Sequence, residues 1–161
     1  MEKNAKTPAE TRTIMTNIVL PNETNALGNM FGGELLSRMD RAAAIAAQRH
    51  SESTVVTASV NHVSFKYPIP EGGVVVVEAK VSRAFSTSME IYCDVWLDNP
   101  ITKEKIHTNE GIYTFVAVDE FNRPKRAKYR LVVLGNFDQH IWSKEDTAAP
   151  VLSQMELRLL T

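Results

Sequence analysis

The segment "NALGNMFGGELLSRMD", Asn25 to Asp40, gathers amides, bare backbone and one carboxylate around the start of an apolar run. Asn25 and Asn29 can donate and accept hydrogen bonds, Gly32 and Gly33 carry no side chain, and Asp40 lies about two helical turns further on. The first N–H groups of a helix have no intrahelical acceptor and sit at the positive end of its dipole. They suit an anion, or a carbonyl oxygen that is acquiring negative charge. Glycine lets a ligand approach that backbone closely, and Glu34 in the first turn is consistent with a helix start. Each residue also has a plain structural use. Gly32 and Gly33 can turn the chain, and asparagine ahead of a helix is commonly a turn or capping residue.

"GELLSRMDRAAAIAAQR", from about Gly33 to Arg49, is rich in good helix formers and free of proline, which predicts a helix. Leu36, Asp40, Ala43 and Ala47 share one face of it, and Asp40 is the only charged member of that stripe. An ionised carboxylate against apolar surroundings is costly unless it is paired or hydrogen-bonded. Two uses stay open: a flank carboxylate paired with Arg38, Arg41 or a neighbouring chain, or a base working beside the donors that precede the helix.

Around this helix the chain reads as strands. Thr11–Leu20 is β-branched and apolar until Pro21 stops it, and four more strands are expected at 54–65, 74–85, 88–98 and 105–119. The breaks between these later strands, "KYPIPEGG", "STS" and "NPITKE", are too short for a parallel crossover, so the pairing is antiparallel. "VVVV", Val74 to Val77, is apolar on both faces, which predicts a sheet covered twice: by the helix on one side and by something else, such as a partner subunit, on the other. The fold class is α+β. Residues 1–10 are expected to be a flexible lead-in, 11–120 the domain, and 121–161 a C-terminal extension in which "APVLSQMELRLL" could form a short helix.

A chain of 161 residues suits one self-sufficient domain. With 18 Lys and Arg against 19 Asp and Glu, the net charge of −1 provides no general attraction to nucleic acid or an anionic membrane. The single cysteine, Cys93, excludes an intrachain disulfide and points to a reducing, cytoplasmic setting, and no apolar run approaches the roughly 18 residues of a membrane span. His50, His62, His107 and His140 have no paired metal-ligand spacing, so no metal is expected. There is no G-x-S-x-G elbow to support a serine-hydrolase mechanism.

"PNETNALGNMFGGELLSRMDRAAAIAA", together with the β-α-β-β-β-β order, resembles the acyl-CoA thioesterases of the hot-dog fold, specifically the cytosolic acyl-CoA hydrolase group. "VSFKYPIPEGG", "SRAFSTSMEI" and "GIYTFVAVD" extend the likeness from about Thr11 to Asp119. The resemblance implies a five-stranded antiparallel sheet wrapped around a long central helix, with two subunits paired edge to edge and active sites at their interface. It further implies that Asn25 of one subunit faces Asp40 of the other, and that backbone N–H groups near Gly32 and Gly33 hold the thioester carbonyl. Asp40 would activate water, or would itself attack to form an anhydride.

Coenzyme A is then part of substrate and product, and no separate cofactor is implied. Phe31, Phe65, Lys66, Arg83, Ser86, Thr87 and Ser88 become expected substrate or coenzyme contacts. The basic run "RPKRAKYR", Arg123 to Arg130, could meet a phosphate from another subunit or simply be a solvated surface. A homodimer is expected, built further into a trimer of dimers. Two rivals share the fold. A dehydratase would need a histidine in the glycine-rich approach, where Phe31 and its neighbours supply none. A non-catalytic acyl-CoA-binding or regulatory module would be expected to lack the acid or the amide.

Overall fold

The computed structural model describes residues 5–131. The expected helix within 149–160, and His140, lie outside them. In chain order the elements are β1 (Ala5–Lys6), α1 (Pro8–Thr11), β2 (Thr13–Ile18), a 3-10 turn (Pro21–Glu23), α2 (Gly32–Ser51), β3 (Thr54–Phe65), β4 (Val74–Ala84), β5 (Ser88–Asp98), β6 (Lys105–Val118) and β7 (Arg130–Leu131). Strands β2 to β6 form one five-stranded sheet in the order β2-β4-β5-β6-β3, antiparallel throughout. The short turns after β4 and β5 give hairpin pairing, but two connections depart from it: the β2–β3 connection, which carries α2, and the 66–73 segment, which crosses from β3 at one edge to β4. The strands on either side of "KYPIPEGG" therefore do not pair with each other as the short break suggested.

Helix α2 lies across the inner face of the sheet. Leu35, Met39, Ala42, Ala43, Ala46 and Ala47 are buried there against alternate residues of β4 and β5, including Val75, Val77, Ile91, Cys93 and Val95. A row of alanines brings the helix axis close to the strands. Met39 is the long side chain in this face, and Gly111 on β6 gives it room: a Cβ at Gly111 would stand 2.7 Å from the Met39 Cε and 3.2 Å from the His62 carbonyl oxygen. Of the four valines, Val75 and Val77 face the helix, whereas Val74 and Val76 are only half-buried on the outer face.

Two expected boundaries are corrected. Residues 5–11 are not a frayed lead-in. Glu10 accepts the Thr7 backbone N–H at 2.7 Å across a T-P-A-E capping box, Pro8 occupies the first turn, and the buried Thr11 hydroxyl accepts the Val81 N–H at 2.9 Å. Nor does the domain stop at 120. Lys125 N–H donates to Ala117 O at 2.8 Å, Ala127 N–H to Ser86 O at 2.9 Å, and β7 pairs with β1 in parallel. The basic run lies partly in this return. Lys128 pairs with Glu52 at 2.6 Å, and Lys6 pairs with the same carboxylate at 2.9 Å. First Lys128 and then Lys6 hold Glu52 down to about 2.

Gly111→Val should clash with Met39 and the β3 backbone. We expect a loss of about 1–3 kcal/mol, seen as a lower urea midpoint, with secondary structure retained at low denaturant.

Candidate active site

The first hydrogen bond of α2 runs from Leu35 N–H to Phe31 O at 3.1 Å, so the N–H groups of Gly32, Gly33 and Glu34 have no acceptor inside the helix. A Cβ on Gly33 would meet nothing within 4 Å, whereas one on Gly32 would come 3.3 Å from the ring of Phe65. Open space thus adjoins the helix start. Phe31 and Phe65 rim it, both more than half exposed at 51% and 55%.

Asn25 shapes the loop in front. Its Oδ1 accepts the N–H groups of Leu27 at 3.0 Å and Asn29 at 3.2 Å, and Gly28, at φ +72°, closes the turn by donating to Asn25 O at 2.9 Å. Two backbone donors fix which end of the amide is oxygen, so the Nδ2 amino group is the end left for a ligand. Asn29 acts in the loop as a turn residue, its carbonyl receiving Asn25 N–H at 2.8 Å.

Asp40 is half-buried on the flank of α2 that faces β3, where the Thr57 hydroxyl donates to its Oδ1 at 2.8 Å. Neither Arg38 nor Arg41 is its partner. Arg38 instead turns to the opposite side and donates through Nη2 to both carboxylate oxygens of Glu23 at 2.7 Å. The latter also accepts Leu20 N–H at 2.8 Å, so this pair ties the loop that carries Asn25 to the helix that carries Asp40.

The neighbourhood of these groups is matched in known proteins. Residues 27–103 match the family model of the thioesterase superfamily. An uncharacterized acyl-CoA thioester hydrolase of Buchnera aphidicola is 36% identical over 118 residues, which cover 71% of this chain and 87% of that one. The chain belongs to the acyl-CoA thioester hydrolases of the thioesterase superfamily. Among solved structures, this thioesterase is similar to an acyl-CoA hydrolase from Staphylococcus aureus in complex with butyryl coenzyme A, coenzyme A and coenzyme A disulfide. That match has 30% identity and a TM-score of 0.80 and covers 96% of this chain and 92% of the other. It is also similar to an apo-hexameric acyl-CoA thioesterase, at 35% identity and a TM-score of 0.78 over 96% of both chains. Variants of the Staphylococcus aureus enzyme with one asparagine, one aspartate or one threonine changed to alanine share the fold at TM-scores of 0.80–0.81.

The hot-dog architecture expected from the sequence is therefore the one observed. The residues expected to contact the coenzyme are divided between the two ends of the sheet. Phe31, Gly32 and Phe65 lie at the start of α2. The turn with Ser86, Thr87 and Ser88 lies at the other end, where Ser88 pairs in register with Val116 and Val116 with Val56. Ser88 is buried, while Ser86 is exposed. Arg83 lies 3.9 Å from Glu90.

Lys66 pairs with Glu110 at 2.9 Å on the outer face of the sheet. Beside it, His107 Nε2 meets Asp94 at 2.8 Å, and Asp94, His107 and Glu110 bring three metal-capable atoms within 4.8 Å of one another. His107 and Glu110 are three residues apart on β6, whereas Asp94 comes from β5 and joins them only through strand register, which ligand spacing along the chain could not reveal. Their groups pair with each other and with Lys66, whose positive charge opposes a cation. Among the described residues, no helix is long and apolar enough to cross a membrane.

The sequence did not single out Thr57. Its only signal there is an exposed-looking position in an alternating strand, and its contact with Asp40 is purely tertiary.

Leu20 N–H, then Arg38, holds the Glu23 carboxyl below the ordinary range. A lowered folded value means stability that is fully present above about pH 4.3 and is lost as pH falls through the folded value. Glu23→Gln removes this term. Its urea midpoint should therefore fall less than that of the wild type between about pH 6 and about pH 3. An equal fall in both proteins would rule the ion pair out as a source of acid lability.

Proposed function

We propose that this thioesterase hydrolyses acyl-CoA at a site completed by two copies of the chain, with Asp40 as general base. The observation that carries this is the placement of the Thr57-held Asp40 beside an unprotected sheet edge. Strand β3 is an edge strand of 12 residues, "TVVTASVNHVSF", with no Lys, Arg, Asp, Glu or Pro to blunt it. Such an edge presents a row of unpaired backbone groups and invites another strand.

A symmetric antiparallel pairing of two β3 strands centred near Asn61 sets the Phe65 end of one copy beside the Thr57 end of the other. The glycine-rich start and Asn25 of one protomer then approach Asp40 of its partner. Arg83 lies on β4, three strands in from that edge and about 14 Å away, with Ser86 and Thr87 in the turn to β5 beside it, within reach of an extended coenzyme. The hexameric relatives support self-association and, beyond the dimer, a trimer of dimers.

In the reaction, Asp40 takes a proton from water as the water oxygen bonds to the thioester carbon. The carbonyl electrons move to oxygen, and that oxyanion is met by N–H groups at Gly32 and Gly33 and by the Asn25 amino group. Each critical donor of this kind stabilises by about 3–4 kcal/mol. The intermediate collapses by breaking the C–S bond. The coenzyme leaves as its thiol with the proton returned from Asp40, and the fatty acid remains. Asn25 acts as a donor to oxygen, because its own oxygen is occupied by the loop.

Release of free thiol from acyl-CoAs, acetyl to palmitoyl, tests the activity. Asp40→Asn and Asn25→Ala should each cut turnover by at least about a hundredfold with the fold intact. Full activity in both would sink the assignment. Single turnover in labelled water should leave the Asp40 carboxylate unlabelled; label there would mean that Asp40 attacks directly to form an anhydride. Val60 on β3 is 49% exposed, and Val60→Lys should yield a smaller, inactive species on size-exclusion chromatography. An active monomer would refute the shared site.

A further inference from the structure

Two donors from the sheet meet the backbone of α2 in the turn that leads into Asp40. The Tyr113 hydroxyl, on β6, donates to Leu36 O at 3.3 Å, and the Cys93 thiol, on the adjacent β5, donates to Met39 O at 3.8 Å. Both side chains are fully buried, Tyr113 at 1% and Cys93 at 0% exposed. In an α-helix, Leu36 O already receives the Asp40 N–H and Met39 O receives the Ala43 N–H. A carbonyl has a second lone pair, so each sheet donor adds a bond without removing one.

We propose that Tyr113 is a positioning residue for Asp40 that, assisted by Cys93, sets the rotation of α2 about its own axis. The inference rests on the general-base role proposed above. The helix needs such a device because its buried face is smooth. Ala42, Ala43, Ala46 and Ala47 present only methyl groups to the sheet, and methyl groups offer little resistance to rolling. Met39 in the space beside Gly111 is one key, and the two donors add bonds to the helix backbone itself.

Side-chain ends lie about 5–6 Å from a helix axis, so a roll of about 10° carries the Asp40 carboxylate about 1 Å. A misplacement of that size can cost about a hundredfold in rate. Burial foremost, with the Asp40 charge adding to it, pushes both the phenol and the thiol above their ordinary values. Both groups therefore keep their protons and remain donors.

The test uses the full chain and thiol release from acyl-CoA. Tyr113→Phe removes only the hydroxyl. It should lower kcat about tenfold while KM stays within about twofold, because substrate contacts are untouched and only the base is displaced. Placed on top of Asp40→Asn, the same change should cost nothing further, since there is no base left to position. If Tyr113→Phe does not fold, Cys93→Ala carries the same readouts with an expected fall of about threefold.

An unchanged kcat in the single variant overturns the proposal, as does a fall that multiplies with Asp40→Asn. A KM rise that accounts for the whole loss overturns it as well. If Asp40→Asn itself keeps full activity, the general-base reading fails and takes this inference with it. A silent Tyr113→Phe beside a dead Asp40→Asn defeats the positioning role alone.

Discussion

The close contact between an alanine face and a five-stranded sheet is the constraint from which the rest of this molecule follows. Four buried methyl groups let α2 settle against β4 and β5, and the flank of the helix then comes within hydrogen-bonding distance of β3. Bulkier residues at those positions would lift the helix and separate Asp40 from Thr57. The same closeness lets Tyr113 and Cys93 reach helix carbonyls, a bond that few sheet side chains are placed to make. Core packing and the geometry around Asp40 are thus one arrangement, set by the same contact.

Much of this was legible in the sequence because the signals are local. Turn residues between strands, alternation along β5 and β6 and the alanine-rich helix each report on a handful of neighbours. Asn25, Gly32, Gly33 and Asp40 stand out for the same reason, as unusual residue types gathered at a helix start. What was not legible depends on partners far away in the chain. Thr57 lies 17 positions from Asp40, and its role is visible only when β3 is laid beside α2. The pairing of Lys66 with Glu110 likewise appears only when β3 and β6 are laid side by side.

One miss had a signal. "TPAE", Thr7 to Glu10, is a capping box with proline in the first turn, and it forecasts the short helix that replaces the expected lead-in. The fold then uses Thr11, which reads as the start of a strand, to satisfy the backbone of Val81. At the other end, the basic run looks like a solvated tail. It is drawn back by backbone bonds to β6 and to the 86–88 turn, and these carry no side-chain signature.

The clasp between β1 and β7 also bears on how this fold can be embedded. Ala5 and Arg130 are direct neighbours, and Lys6 beside them contacts the backbone of Arg49 and the carboxylate of Glu52, at the far end of α2 from its glycines. A 20-residue helix is about 30 Å long, so the polypeptide enters and leaves the described fold at one corner, a full helix length from Gly32.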